Sequence, residues 1–379
     1  MAWLGISSRT ETVPIERGGW LDALRFIMAF LMILYHYRFA GPVALTQFHP
    51  VFERGYLITD FFLIDSGYVL ARVYARRTGA GGMSVLDFFR KRALRVVPSH
   101  LVMMASLITI VGAGLLAGVA PRHPEWFDWK ELPAQLFLVQ AWGVPGGAGW
   151  NSPNWTLSAL LACYLCFPFV ARAIPRVSPW LALAGGVGLF ALADAVSWRF
   201  LGTGSYILAF KYGLLRAVPL FVLGMCLARI GEKVFIPANL ARAFGLACIL
   251  GLVLVQALGD LALPSLALIG GLIIAAGAVP VVRKSRLIER AAYVSFAMYI
   301  TNEVFRIGYF GVVNVIEARL HLPVILQWGL WGCGVAGAVV AAFVFYALVD
   351  LPTQKLVKPW TSARKPATKP AAEVGLAAG

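Results

Sequence analysis

The chain has 379 residues, of which 60% are hydrophobic and only 13% charged, and its mean hydropathy is +0.76. These values exclude an ordinary soluble globular domain and require most of the chain to lie in a membrane. The net charge of +15 would suggest a nucleic-acid partner in a soluble protein. Here it is read as basic residues gathered in loops on one side of the bilayer, against membrane lipids, and no nucleic acid is expected.

Residues 1–20 are polar and lack the pattern of a cleavable signal, so they are expected to form a cytoplasmic N-terminal segment ahead of a retained first span. Spans are predicted over 21–39, 55–73, 97–118, 154–172, 178–198, 211–230, 238–258, 262–282, 291–314 and 325–350, each close to the roughly 20 residues that cross a bilayer. The first span holds Arg25 and His36. Eleven steps of about 100° return to within roughly 20° of the starting direction, so both side chains share one face, about 16 Å apart along the axis. Ionisable groups in a membrane helix are read as lining a functional interior. The bland alternatives are that Arg25 snorkels to lipid phosphate and that His36, between Tyr35 and Tyr37, is an interfacial residue. Their shared face favours a common cavity, and an imidazole suits general-base work on a hydroxyl.

Loop charge sets the orientation. Between the second and third spans lie Arg72, Arg76, Arg77, Arg90, Lys91, Arg92 and Arg95. The alternate loops on the same side carry Arg172 and Arg176, then Arg229 and Lys233, then Arg283, Lys284, Arg286 and Arg290, and the tail adds Lys355, Lys358, Arg364, Lys365 and Lys369. The opposite loops hold Arg38, Arg54, Arg122, Lys130, Arg199, Lys211 and Arg319. The bias predicts an all-α integral membrane protein of about ten transmembrane helices with both termini in the cytoplasm.

The largest outer loop, about 119–153, contains the aromatic and acidic run Glu125-Trp126-Phe127-Asp128-Trp129. An apolar piece from Leu132 to Trp142 is too short to span and is expected to be interfacial or re-entrant. The glycine-rich run from Gly143 to Trp150, leading into Trp155, is either a site where a ligand approaches the backbone or a plain flexible turn. Cys163, Cys166, Cys226, Cys248 and Cys333 fall in apolar stretches. They are read as small buried hydrophobes that imply neither a disulfide nor a metal site. No internal repeat is visible, and the Lys-, Pro- and Ala-rich tail over 353–379 is expected to be cytoplasmic and disordered.

Six local patterns recur in order from Leu21 to Pro352. They are the Arg-x10-His pairing in a span beginning Leu21-Asp22-Ala23-Leu24-Arg25; Asp60-Phe61-Phe62-Leu63-Ile64-Asp65-Ser66-Gly67-Tyr68; and Phe88 to Pro98 with Arg92 and Arg95. After them come Trp155-Thr156-Leu157-Ser158 with Tyr164 and Pro168, then Arg216 with Phe221 and Gly224, then Asp350-Leu351-Pro352. Together they resemble the membrane acyltransferase-3 family, with the transmembrane domain over 21–352. The resemblance implies an acyl-CoA-dependent O-acyltransferase of the bacterial cytoplasmic (inner) membrane. Such a protein would move an acyl group, often acetyl, from cytoplasmic acyl-CoA to a glycan or lipid-linked sugar, with acetyl-CoA as co-substrate rather than bound cofactor.

On this reading His36 and Arg25 are the catalytic pair, with His36 as general base or transient acyl carrier. Arg25, Arg92 and Arg95 would meet the anionic acyl-CoA, because an arginine fork suits phosphate; positive-inside topology is the alternative for Arg92 and Arg95. Trp155, Tyr164, Asn302 and Asp60 are assigned to the acceptor side. Interfacial packing is the alternative for the two aromatics, and pairing with a nearby arginine is the alternative for Asp60. No metal is expected. Two positions depart from the family pattern: Leu160, where a glutamate is usual, and Asn302, where a histidine is usual and an amide cannot carry a proton. The rival readings are a ten-span transporter or flippase, although matched interrupted halves are not seen, and a degenerate, non-catalytic family member.

Overall fold

The computed structural model describes residues 7–8, 16–79, 84–119, 121, 123–147, 149–281 and 284–361. A helix occupies each expected span. In chain order these are α1 (Trp20–His36), α2 (Tyr56–Gly79) and α3 (Val85–Leu116), then, after a one-turn α4 (Leu132–Leu136), α5 (Trp155–Ala173), α6 (Pro179–Leu201), α7 (Gly213–Lys233), α8 (Ala238–Leu258), α9 (Ala262–Ala278), α10 (Arg286–Leu320) and α11 (Val324–Phe345). A π turn over Tyr346–Asp350 then leads into α12 (Leu351–Thr361). Among the described residues, six segments are long and apolar enough to cross a membrane: α3, α6, α8 and the stretches containing α5, α7 and α11. As α7 does with Arg216 and Glu232, helices α1, α2 and α10 bury ionisable groups. They carry Asp22, Asp60, Asp65, Arg72 and Glu303 inside the bundle, as intramembrane ionisable groups must be carried. By contrast, α6 and α8 turn large apolar residues outward, among them Leu181, Leu192, Leu250 and Val253, a surface suited to lipid.

The tightest seam joins α2 to α7. A Cβ on Gly67 would lie 2.0 Å from the Phe221 carbonyl oxygen, and one on Gly224 would lie 1.9 Å from that of Ile64. Each glycine therefore admits the other helix's backbone, the means by which helices approach closely in a membrane. Nearby, Gly231 leaves room for side chains instead: a Cβ there would lie 2.6 Å from Arg72 Nη1 and 2.7 Å from the Tyr68 hydroxyl. Gly224→Ala forces the two backbones apart, and we expect it to destabilise the bundle by about 1–3 kcal/mol or more. A lower melting temperature of the detergent-solubilised protein would register this loss.

Several boundaries differ from expectation. Helix α3 begins at Val85 rather than near 97, because Ser84 caps it by accepting from Asp87 N at 3.5 Å. Phe88 anchors that first turn by stacking on Phe167 with ring centroids 4.6 Å apart. The basic stretch Arg90–Arg95 is therefore helical rather than loop. The apolar piece after Leu132 is one helical turn followed by turns, with Leu138 at a φ of 53°. At the other end, Gln354 Nε2 donates to the Arg95 carbonyl at 3.1 Å, so the first residues of the expected tail continue as α12. The remainder of that tail, 362–379, lies outside the described residues, as does most of the N-terminal segment apart from Ser7–Ser8, which pairs antiparallel with Val234–Phe235. Cys163, Cys226 and Cys248 are buried, whereas Cys166 and Cys333 are exposed on α5 and α11, because burial in an apolar helix depends on which face meets the bundle.

Candidate active site

A cavity of about 1430 Å³ opens where α1 ends. His36 and Met32 of α1 line it, with Tyr56 and Thr59 of α2, Trp155 of α5, Arg216 of α7 and a long stretch of α10. The loop between α3 and α5 contributes Pro121, His123, Trp126 and Phe127 as a roof. The run Gly143–Trp150 contributes no described residue to the cavity lining. It packs behind the roof, with Trp150 against Phe127 and Trp129 and its Nε1 donating to the Asp128 carbonyl at 3.0 Å.

His36 is held by Asn302. The Asn302 Nδ2 donates to the carbonyls of Met298 at 3.1 Å and Tyr299 at 2.6 Å, which fixes the amide with Oδ1 turned toward α1. That oxygen stands 2.5 Å from His36 Nδ1. Oδ1 can only accept, so Nδ1 is the donor, and in the neutral imidazole Nε2 keeps its lone pair. Among the described residues no hydrogen bond engages Nε2. Tyr37 Oη donates to the Asn302 carbonyl at 2.9 Å and pins the same turn of α10. One residue on, Glu303 accepts from Arg306 Nε at 2.8 Å and Nη2 at 2.6 Å, and both side chains line the cavity. Arg306 escaped the sequence reading; its only signal there was an acid and a base three residues apart in an apolar helix.

The acceptor-side candidates separate. Trp155 lines the cavity. Asp60 is fully buried behind Arg216, whose Nε donates to its Oδ1 at 2.7 Å. Arg216 also donates to the carbonyls of Leu208 at 3.1 Å and Tyr56 at 2.8 Å, and its guanidinium lies 5.5 Å from the Trp155 ring centre. Asn302 is fully buried behind His36, with every polar atom of its amide committed. Tyr164 lies nine residues along α5 from Trp155, about 13 Å by helical rise, among the rings of Phe88 and Phe221.

At that far end Arg92 lies 5.5 Å from the centre of the Phe88 ring, which packs against Tyr164, and each of the three predicted arginines has its own partners. Arg25 Nε donates to Asp65 Oδ2 at 2.6 Å and its Nη1 to Asp22 Oδ1 at 3.3 Å. Arg95 Nη1 donates to Asp350 Oδ1 at 2.6 Å, and Ser99 Oγ shares that oxygen at 2.8 Å. Arg92 Nη2 donates to the Tyr74 hydroxyl at 2.9 Å, and among the described residues it meets no carboxylate. Arg25 does not line the His36 cavity, so the two ends of α1 serve separate surroundings.

A family described as an acyltransferase domain matches residues 19–347, which takes in both ends of this arrangement. The chain belongs to the acyltransferase-3 family. It is 31% identical over 175 residues to the acyltransferase MdmB of Streptomyces mycarofaciens, a match that covers 44% of this chain and 43% of that protein. No solved structure matches. The family match takes in most of the chain, and the two departures from the family pattern can be placed. Leu160 packs partly buried against the apolar core. Asn302 is the residue that sets the His36 tautomer.

Proposed function

We propose that this acyltransferase moves an acyl group, acetyl by preference, from cytoplasmic acyl-CoA to a hydroxyl of a cell-envelope or exported glycan. About ten spans with both termini in the cytoplasm of a bacterium would put the Arg25, Arg92 and Arg95 end inside and the His36 end outside. The observation that carries the reading is the His36–Asn302 contact, which leaves Nε2 unprotonated and facing a cavity large enough for an acceptor.

In this mechanism Nε2 takes the acceptor hydroxyl's proton as its oxygen attacks the thioester carbonyl. The tetrahedral adduct collapses, the carbon–sulfur bond breaks, and His36 returns the proton to the leaving thiolate. CoA phosphates sit at the arginine end, so the pantetheine arm bridges the roughly 16 Å between the levels of Arg25 and His36. Arg92, with no carboxylate beside it, is the best suited of the three to a phosphate. Arg25 is already neutralised by Asp22 and Asp65 and offers a ligand only Nη2.

The test is CoA release in proteoliposomes supplied with acetyl-CoA on one face at a time. Release should require acetyl-CoA on the face bearing α12. Arg92→Ala should raise the acetyl-CoA KM roughly tenfold, the worth of one charge-assisted hydrogen bond, with kcat little changed. Substrate movement without CoA release would favour a transporter and overturn the proposal.

A further inference from the structure

The cavity that holds His36 changes character along its length. Around the imidazole it is charged, with Arg38, Arg216, Glu303 and Arg306. Beyond them its walls are α3 from Ile110 and α10 from Ile307 to Ala318, and every lining position on those two stretches except Asn314 is apolar or glycine. From Ile307 to Ala318 this wall extends about 16 Å by helical rise. It is also open at the side: Val312 is 62% exposed, and Ile110 and Ile316 are more than a third exposed.

Glycines make the opening. A Cβ on Gly308 would meet Ile110 Cδ1 at 3.5 Å, so α3 and α10 touch there. One turn further out, a Cβ on Gly311, which lines the cavity, meets nothing within 4 Å. The helices part beyond Gly308 and leave a cleft between two largely apolar surfaces. A fully polar sugar chain gains nothing from such walls and would leave its hydroxyls unpaired against them. An apolar body gains with each methylene it buries, and the volume exceeds the roughly 300–1,000 Å³ typical of small-molecule pockets.

We propose that the acceptor is a membrane-resident amphipathic alcohol that enters sideways from the bilayer. Its apolar body lies between α3 and α10, and its hydroxyl reaches His36 Nε2. The reacting hydroxyl rests on the acyltransfer mechanism above, whereas the cleft and its occupant do not.

Binding can be read without turnover. Protein in nanodiscs is photolabelled with a diazirine-tagged dodecyl glucoside and mapped by peptide mass. Label is expected within Ile110–Val119 and Ile307–Ala318. Unlabelled dodecyl glucoside should compete, and methyl glucoside should be weaker by roughly tenfold or more, as burial of even a few methylenes requires. Gly311→Phe builds a ring from a Cβ position that meets nothing within 4 Å and should abolish the competable label; Ala113→Phe, on the α3 lining, should do the same from the other wall. Equal competition by methyl glucoside, label confined to Pro121–Phe127, or label unchanged in both folded variants would overturn the proposal. CoA release from acetyl-CoA in the same nanodiscs tests the transfer reaction separately. Its absence together with competable label on α3 and α10 would remove the mechanism and sustain the cleft.

Discussion

Replacing His36 with alanine is expected to lower acyl transfer by about 10²–10⁴-fold, the usual worth of a positioned general base, with the protein still folded in the membrane. The imidazole is half-buried at the cavity floor and its single hydrogen bond among the described residues is the one to Asn302, so its loss leaves only the Asn302 oxygen unpaired. Asn302→Leu should reduce kcat by up to about 10⁴-fold, as when a triad loses the member that fixes its tautomer. The acyl-CoA KM should stay unchanged, because the donor binds at the other end of α1. A stable acyl-histidine would instead make His36→Ala inert and would give CoA release from the wild type without acceptor. Full activity in His36→Ala, measured as acylated acceptor per folded protein, would refute both versions.

The second large effect is on stability. Asp60→Ala leaves Arg216 buried without its carboxylate, and breaking such a pair from one side costs about 3–5 kcal/mol. The side chains are 0% and 3% exposed, so water does not screen the loss. A fall in melting temperature in detergent would measure it. The double change Asp60→Leu with Arg216→Met removes both charges and should recover most of that stability. It should nonetheless transfer poorly, since Arg216 lines the cavity beside Trp155. If the double variant is as unstable as Asp60→Ala, the charge pair is not what holds α2 to α7 there.

The periodicity of the chain revealed the helices, and the reasons are local: apolar runs of sufficient length, with Ser84, Ser178 and Ser285 each capping the helix that follows. Arg25 and His36 stood out because ionisable groups are rare in such runs. Their partners were hidden by distance along the chain. Asp65 is 40 residues from Arg25, Asn302 is 266 from His36, and Asp350 is 255 from Arg95; a single sequence has no pattern that spans such gaps. Tyr164 shows a different difficulty. It was grouped with Trp155 because both belong to one motif, yet nine helical residues carry it toward the arginine end. A motif shares a helix without sharing a depth. Gly67, Gly224, Asp60 and Arg216 likewise belong to separate family patterns, and in the folded chain they form one seam between α2 and α7.

That seam has a consequence in time. Asp65 meets a partner, Arg25, that has already left the ribosome, whereas Asp60 waits for an arginine 156 residues downstream. At about 5–20 residues per second that stretch takes roughly 8–30 s to synthesise. Throughout it α2 holds a carboxylate with no counter-charge, a costly guest for hydrocarbon. The helix therefore cannot settle alone and must remain near the insertion machinery until α7 arrives. Chains that stop short of Arg216 should accumulate poorly and reach the quality-control proteases first.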